Sequence, residues 1–534
     1  MSLAIRFFRM GVARVGLTVA AAIAICLLGS GSASASQVLP VFDVGAAVKN
    51  INPDSEQYLG GYGYMAGPTD KVHDDLETRA FVVGKGKDAL AFVSVDLAGW
   101  FAAYDGDNAP YGVDATRQKI ADALNTKGYD IGRESVIISV THVHAAPTLV
   151  GIWGTIDPAY LKKVSDQSVA AASEAADQAS PSELWTGVGD IRSFIWQNGQ
   201  GTNHPDGFEY DNELPILWAR DPDTGATNAL YANVPNHPDQ FNHDLQMSAD
   251  WPGYARNKLD ELNGGTAVIA PGTLGRQEPP GSVKTYDEVV PQGEIVANAI
   301  QRTMANATPL TTDRIDASEQ YFQTLADNEE LLLGIKLNPN NGTGICIDAF
   351  EFCTIPRSKV APYMAPGIDE DTATIGAYVT TARIGDAVFA TSPGEAFPEV
   401  NFAIRDGIAG ARHVATMSQT GDMLGYYYER DDYTEQQFGS SNFETYNVAG
   451  GLPSANVTAA LSGADAIGFT TSPQSVHASY NEDVLDRPGI QWYPDTLESA
   501  DPVVNLYASS AKSQDETVPA PAGIEWYFDD GSTL

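Results

Sequence analysis

The chain has 534 residues, of which 43% are hydrophobic and 19% are charged. This composition is that of a folded globular protein, and it excludes a disordered, collagenous or coiled-coil chain. The 69 Asp and Glu residues outnumber the 31 Lys and Arg residues and give a formal net charge of -38. Because a field of that sign repels phosphate backbones and anionic membrane surfaces, we expect no nucleic-acid partner.

Residues 1–35 have the pattern of a cleaved secretory signal. Three arginines precede an apolar stretch at 15–29, and small residues at 33–35 supply the site that a signal peptidase requires. The apolar stretch is too short for a stable membrane span, and no later segment has 18 or more apolar residues in a row. We expect a secreted protein, extracellular or periplasmic, that is cleaved near Ala35 and has no integral membrane span.

Cleavage of the signal would leave Cys346 and Cys353 as the only cysteines of the mature chain. Two cysteines seven residues apart in an oxidising compartment most simply form one disulfide that closes a small loop. A thiolate zinc site or a cysteine nucleophile is disfavoured because the chain has no Cys-x-x-Cys pair.

Short runs of apolar, β-branched residues alternate along the chain with stretches rich in Ala, Lys, Gln and Glu. The predicted strands are 80–84, 89–99, 135–144, 213–221, 228–237, 265–270, 377–395 and 411–422. The predicted helices are 111–128, 158–179, 252–263, 293–306 and 398–410. This alternation predicts an α/β fold, and we expect a single large mixed-sheet domain over 36–470. The last segment, 471–534, is rich in Pro, Ser, Asp and Glu and is predicted to be an irregular extension.

Two of the eight histidines form a His-x-His sequence at the end of the predicted strand 135–144. Side chains repeat with period two along a strand, so His142 and His144 are predicted to face the same way. Strand ends are where α/β sheets build ligand crevices, and neutral imidazole is the commonest metal ligand. Two interpretations stay open: the pair shares a metal ion, or one histidine binds the metal while its neighbour transfers protons.

Candidate ligands also follow two other predicted strands. A proline directly after His237 forces the chain out of the sheet, and a Pro-Gly turn projects Glu395 from a strand end. Together with His142 they make a set of two imidazoles and one carboxylate, which suits zinc and leaves room for water. Asp96, towards the end of 89–99, is expected either to cap the backbone or to support these ligands.

Other hydrolase classes with related motifs fit the sequence less well. The metallo-β-lactamase motif needs Asp and His where Ala146 and Pro147 stand. Amidohydrolase barrels carry His-x-His on their first strand, whereas here about 100 residues of the expected mature chain precede the pair. A serine hydrolase elbow, Gly-x-Ser-x-Gly, does not occur in the sequence. Neither does a Gly-x-x-x-x-Gly-Lys-Ser/Thr phosphate loop.

A series of segments occurs in a recognisable order between residues 55 and 435. They are GYGYMAGPTDKVHDDLETRAFVV (61–83), AFVSVDLAG (91–99), VIISVTHVHAAPT (136–148), IRSFIWQN (191–198), VPNHPDQF (234–241), SADWPGYA (248–255), SPGEAFPEV (392–400) and GYYYERDDY (425–433). This series resembles the N-terminal catalytic domain of the neutral/alkaline non-lysosomal ceramidase family. The resemblance implies a zinc-dependent hydrolase of lipid metabolism that cleaves the amide bond of a ceramide-like, small-molecule or lipid N-acyl substrate.

The same resemblance assigns roles to individual residues. It implies four zinc ligands: His142, His237, Glu395 and Tyr426. His144 matches a histidine that transfers protons, and Arg192 matches an active-site arginine, so both are expected to be catalytic.

The chain departs from the family pattern at two points. Leu274, in Gly-Thr-Leu-Gly-Arg, stands where the family carries a serine that is often proposed as a nucleophile, and no segment matches the family's immunoglobulin-like C-terminal domain. We therefore expect a metal-activated water in place of a covalent serine mechanism, with a substrate that can differ from ceramide. Two alternatives stay open: a zinc esterase, and a non-catalytic secreted binding protein on the same scaffold.

Overall fold

The computed structural model describes the chain between residues 38 and 509 with gaps. The described residues are 38–60, 68–104, 106–150, 154–197, 209–241, 246–280, 283, 285–325, 346–347, 352–353, 374–429, 449–477, 489–492 and 506–509. The predicted signal 1–35 lies outside the described residues, as does most of the predicted extension 471–534. The boundary at residue 470 therefore stays a prediction. From Leu39 onwards the chain forms one compact unit.

Six α-helices lie in the described part of the chain. They are α1 (Val113–Asn125), α2 (Pro158–Asp177), α3 (Asp250–Asn263), α4 (Val289–Ala305), α5 (Pro398–Asp406) and α6 (Leu452–Ala466), with short 3-10 turns at Gly106–Tyr111, Arg133–Ser135, Arg192–Phe194 and Tyr286–Glu288. Proline starts both α2 and α5, where its fixed φ suits the helix and its missing N–H is not needed. Asp157 caps α2 by accepting a hydrogen bond from the Ala159 N–H at 2.8 Å.

Nine strands form the larger sheet. They are β1 (Val41–Asn50), β2 (Glu77–Lys85), β3 (Asp88–Val95), β4 (Val136–Val140), β5 (Ser180–Asp190), β6 (Glu213–Arg220), β7 (Thr227–Val234), β8 (Thr266–Pro271) and β9 (Thr308–Pro309). Their order is β8-β7-β6-β5-β1-β2-β3-β4, and β9 pairs with β5. The pairs β3–β4 and β7–β8 are parallel and the others antiparallel. The prediction of a mixed-sheet α/β fold is confirmed.

Four further strands form a second mixed sheet. They are β10 (Ile315–Leu325), β11 (Thr374–Ile384), β12 (Ala387–Thr391) and β14 (His413–Met417), in the order β10-β11-β12-β14. The run 377–395, predicted as one strand, is a hairpin of β11 and β12 that turns at Gly385, whose φ of 61° suits glycine. Beyond it, β13 (Glu395–Ala396) pairs in parallel with β15 (Tyr426–Tyr427).

Side chains that alternate along the strands pack into cores on both faces of each sheet, so the chain forms four layers. On β12, Phe389 points into the core between the two sheets, where its ring lies 4.9 Å from that of Phe92 on β3. Its neighbours Val388 and Ala390 point the other way, into a core shared with α5 and α6. Helices α1 to α4 cover the opposite face of the larger sheet. The layers are therefore helices, sheet, sheet and helices.

The remaining strands are short. They are Gln57–Tyr58, Pro68–Thr69, Gly99–Trp100, Thr148–Leu149, Trp196–Gln197, Gln277–Glu278, Cys346–Ile347, Phe352–Cys353, Ile408–Ala409, Thr470–Thr471, Gly489–Trp492 and Leu506–Ser509. Cys346 and Cys353 are directly opposite in their antiparallel pair, but their side chains lie outside the described part, so the disulfide stays a prediction. Among the described residues, no helix has the length and apolar character needed to cross a membrane.

Candidate metal centre

The His-x-His sequence lies just beyond the end of β4. That strand stops at Val140, and His142 has a φ of 63°, in the left-handed region that non-glycine residues rarely adopt. The two rings nevertheless lie together, with centroids 5.0 Å apart in an edge-to-face arrangement. The predicted grouping of the rings is therefore present, but a sharp backbone turn produces it rather than strand alternation.

His142 is held so that one defined nitrogen faces the centre. The residue is buried, and its Nδ1–H donates to the carbonyl of Ala98 at 2.6 Å. A hydrogen bond on Nδ1 fixes the tautomer and leaves the Nε2 lone pair available to a metal.

His237 is held in the same way, three residues after β7. It is buried, and its Nδ1–H donates to the carbonyl of Leu274 at 3.0 Å. Its backbone is fixed on both sides, because its N–H donates to the Gln277 carbonyl at 3.1 Å and its carbonyl accepts from the Trp251 indole at 3.0 Å. Nε2 is thus the nitrogen of His237 that could bind a metal.

Glu395 brings a carboxylate oxygen to both of these nitrogens. Its Oε2 lies 3.4 Å from His142 Nε2 and 3.3 Å from His237 Nε2, and the residue is only 4% exposed. Apart from these two contacts, Oε2 makes no hydrogen bond within the described residues. Ligand atoms of a tetrahedral zinc with bonds of about 2.0–2.1 Å lie about 3.3–3.4 Å apart. Both distances from Glu395 Oε2 to the imidazole nitrogens therefore fit ligands of one tetrahedral ion.

The charges at this centre depend on one another because all of its groups are buried. Burial raises the pKa of Glu395, but the two imidazoles outweigh burial and hold that pKa below its ordinary value. Burial lowers the pKa of His237, but its hydrogen bond to Glu395 and the carboxylate charge raise it to about 9. Without a dication the cluster thus retains a proton, and metal binding would release it.

His144 lies at the edge of the same cluster and is half-buried. Its Nε2 is 3.4 Å from His142 Nε2, and its ring centroid is 5.3 Å from that of His237. Burial and the two neighbouring histidines lower the pKa of His144 well below its ordinary value, which favours the neutral imidazole. The three histidines could by themselves hold a metal ion, so the geometry is compatible with both sequence interpretations of the His-x-His pair.

The other two predicted site residues lie in different surroundings. Tyr426 is half-buried on β15, next to the strand that carries Glu395. Arg192 is exposed: its Nη1 donates to the Ile195 carbonyl at 2.9 Å, and its guanidinium lies 3.4 Å from the Tyr210 ring centroid. These contacts of Arg192 are with its own turn and with Tyr210, not with the three imidazoles.

Two supports of the centre could not be found from side-chain motifs. Ala98 and Leu274 act through backbone carbonyls, which carry no sequence signal. Asp96 accepts from the Glu77 N–H at 2.8 Å and from the hydroxyl of Thr141, directly before His142, at 3.3 Å. It therefore ties the loop that carries His142 to the larger sheet.

The fold of this chain is similar to that of solved structures. No family model matches the chain, and no curated protein matches it. The solved structure of neutral ceramidase from Pseudomonas aeruginosa matches with a TM-score of 0.61 and 17% identity, over 82% of this chain and 76% of that chain. A structure described as ceramidase complexed with C2 matches with a TM-score of 0.60 and 17% identity, over 82% of this chain and 77% of that chain.

The chain has a neutral ceramidase-like fold. The predicted resemblance is confirmed at the level of the fold, which is what 17% identity supports. Within the ceramidase-like fold, the roles of the individual site residues stay proposals.

Proposed function

We propose that this chain is an exported zinc-dependent hydrolase that cleaves the amide bond of a ceramide-like or other N-acyl substrate. The observation that carries the proposal is that His142 Nε2 and His237 Nε2 both lie 3.3–3.4 Å from Glu395 Oε2 within a ceramidase-like fold. We propose Tyr426 as a further protein ligand, with one position on the ion left for water.

The donor set suits zinc in particular. Two imidazole nitrogens and one carboxylate oxygen are a common set of protein ligands in catalytic zinc sites. Each imidazole donates its other N–H to a backbone carbonyl, an arrangement that orients the ring and raises its basicity as a ligand. The otherwise unpaired Glu395 Oε2 gains a partner when a dication enters.

When bound, zinc polarises an acyl carbonyl and makes water a nucleophile at neutral pH. The chain's own part is proton transfer. His144 Nε2 takes a proton as the water oxygen bonds to the acyl carbon, and it gives that proton to the nitrogen as the carbon–nitrogen bond breaks. The products are a carboxylic acid and an amine. Arg192, at the surface, would hold a polar head group or stabilise the developing negative charge.

The proposal needs no serine nucleophile. Leu274 has no hydroxyl, and it contributes its carbonyl to His237 instead. The position that carries serine in the ceramidase family thus lies beside a proposed ligand here, in a supporting role.

The proposal also includes export and one disulfide. The predicted signal at 1–35 would be removed, so the N-terminal sequence of the secreted protein should begin near Ser36. A single Cys346–Cys353 disulfide is supported by the direct backbone pairing of the two residues. Mass spectrometry of non-reduced peptides tests it.

Metal content and turnover test the central proposal. His142→Ala and Glu395→Gln should lose bound zinc and hydrolysis of N-octanoyl-p-nitroanilide together. His477→Ala removes an exposed histidine and should change neither. Wild-type protein that hydrolyses only the matched ester, p-nitrophenyl octanoate, would establish the esterase alternative. Zinc-loaded wild type that hydrolyses neither compound would favour the binding-protein alternative.

A further inference from the structure

Residues with unusual backbone conformation are concentrated around the candidate centre. In the described chain, positive φ occurs at four non-glycine residues: His142 (63°), Asp250 (49°), Arg276 (66°) and Gln419 (50°). Such conformations cost free energy and persist mainly at functional sites. Three of the four have a clear relation to the centre, because His142 is a proposed ligand and the other two adjoin the residues that hold His237.

Both relations run through neighbouring residues. Arg276 follows Leu274 by two residues, and the carbonyl of Leu274 accepts from the His237 ring. Asp250 immediately precedes Trp251, whose indole donates to the His237 carbonyl. Gln419 is the fourth strained residue, and nothing above assigns it a role.

The backbone of Gln419 lies between the two segments that carry proposed ligands. Its N–H donates to the carbonyl of Gly394 at 2.8 Å, and Gly394 directly precedes Glu395. Its carbonyl accepts from the N–H of Val140 at 3.0 Å, two residues before His142. The two hydrogen bonds fix the backbone of Gln419 against both segments that carry proposed ligands.

The side chain of Gln419 is buried without a polar partner. The residue is 2% exposed, and neither its amide nitrogen nor its amide oxygen makes a hydrogen bond within the described chain. Both chain neighbours are paired: Ser418 Oγ accepts from the Ala396 N–H at 3.3 Å, and Thr420 Oγ1 lies 2.7 Å from Ser139 Oγ. A buried amide with neither group paired is rare and calls for a ligand or a water as its partner.

Resting on the proposed function, we propose that Gln419 is a substrate-binding residue whose Nε2–H donates to the acyl oxygen of the scissile amide. That oxygen gains negative charge as the bond breaks, and a fixed donor in a buried site stabilises such charge strongly. A carboxamide is neutral, so it adds this donor without competing with His144 or Glu395 for protons. Amides and esters share the acyl oxygen, so the residue should serve both kinds of substrate.

Substitution of Gln419 by methionine tests the proposal, since methionine has similar length and no polar hydrogen. The first measurement is calorimetric binding of N-octanoyl-p-nitroanilide to zinc-stripped protein. The second is kcat/KM of the zinc-loaded protein, with zinc content and Tm recorded alongside. Gln419→Gly is the second variant, because glycine accepts the positive φ without strain. Gln292→Met is the matched control, as Gln292 is a buried carboxamide on α4 with an unpaired oxygen.

We expect Gln419→Met to bind the anilide about fivefold to tenfold more weakly, as loss of one buried hydrogen bond would produce. Its kcat/KM should fall about 100-fold for both anilide and ester, the loss typical of one removed oxyanion donor. Zinc content should equal that of wild type, and Tm should not fall. Gln419→Gly should show the same losses, and Gln292→Met should bind and react as wild type.

Unchanged binding and kcat/KM in both Gln419 variants would overturn the proposal, whether or not Tm falls. A lowered Tm together with unchanged binding and kcat/KM would identify the carboxamide as the anchor of a structural water. If zinc-loaded wild type shows no turnover, the proposed function fails, while the binding measurement still decides whether Gln419 contacts an acyl amide.

Discussion

Glu395 and Tyr426 are direct partners in a parallel two-stranded ladder. Two backbone hydrogen bonds join the strands. The Glu395 N–H donates to the Gly425 carbonyl at 2.9 Å, and the Phe397 N–H donates to the Tyr427 carbonyl at 3.0 Å. Partners in register project their side chains from the same face of a sheet. The pairing thus directs Tyr426 to the side on which Glu395 meets the two imidazoles.

Replacement of Tyr426 by phenylalanine should weaken zinc binding at least about tenfold and leave the fold intact, because only the phenol oxygen is lost. Zinc affinity measured by competition with a chelating dye checks this. Tyr427→Phe is the matched control: that hydroxyl donates to the Pro393 carbonyl at 3.3 Å, so its loss should affect stability and not zinc affinity. Equal zinc affinity in wild type and Tyr426→Phe would exclude the phenol as a ligand.

The buried ion pair of Arg256 with Asp96 should contribute strongly to stability. The guanidinium donates to the two carboxylate oxygens at 2.7 and 2.5 Å, and Asp96 is fully buried. Arg256→Met leaves the buried carboxylate without its counter-charge, so we expect a loss of about 3–5 kcal/mol in the free energy of unfolding, measured with urea. Lys85→Met, which removes an exposed ammonium 3.8 Å from Asp313, should cost less than about 1 kcal/mol. Similar losses in the two variants would contradict this assignment.

His413 should make the protein less stable at mildly acidic pH. Its neutral imidazole donates from Nε2 to the Thr186 hydroxyl at 3.0 Å, between the two sheets. Burial, aided by the neighbouring Arg412, lowers its pKa from 6.5 to about 4 and outweighs the opposing effect of Asp386. Between these pH values the unfolded chain binds more protons, so this contribution to stability is complete above pH 6.5 and is lost as the pH falls towards 4.

The difference in Tm between wild type and His413→Gln, followed from pH 7.5 to pH 4, measures that contribution. Glutamine can donate to Thr186 and does not titrate. We expect wild type to lose stability relative to the variant below pH 6.5. A difference that is independent of pH would show that His413 has the same pKa in the folded and unfolded chains.

A serine at position 274 should bring no catalytic gain. Leu274 is fully buried, so both Leu274→Ser and Leu274→Ala should lose about 2–5 kcal/mol of stability through the cavity they create. Per folded molecule, the two variants should hydrolyse N-octanoyl-p-nitroanilide at equal rates, because the account needs no serine nucleophile. A serine variant more than about tenfold faster than the alanine variant would contradict it.

The features that the sequence predicts well are local. Pro158 and Pro398 mark the starts of their helices, and the alternation of strand and helix patterns predicts the α/β class. The division of the strands between two sheets could not be predicted from the sequence. All five residues of the strand Ala387–Thr391 are buried, so both faces of this strand are covered. A continuous apolar run of this kind does not show whether a sheet or a helix covers a given face.

The candidate centre was predictable as a set of residues but not as a geometry. The spacing of His142 and His144 implied that they lie together, yet the positive φ that joins them has no signature in a non-glycine sequence. The pairing of Glu395 with Tyr426 joins positions 31 residues apart through a register that only the folded chain defines. Gln419 could not be predicted for the same reason, since the burial of its side chain and the absence of a hydrogen-bond partner for its amide among the described residues are properties of the folded chain.

Activity as a function of added zinc is the most direct test of the central claim that one ion at His142, His237 and Glu395 is required for hydrolysis. Protein stripped by a chelator is titrated with Zn²⁺ while hydrolysis of N-octanoyl-p-nitroanilide is followed. The account predicts no hydrolysis at the start and a linear rise to a plateau at one zinc per chain. Full activity in the stripped protein, or no activity at any zinc concentration, would contradict it.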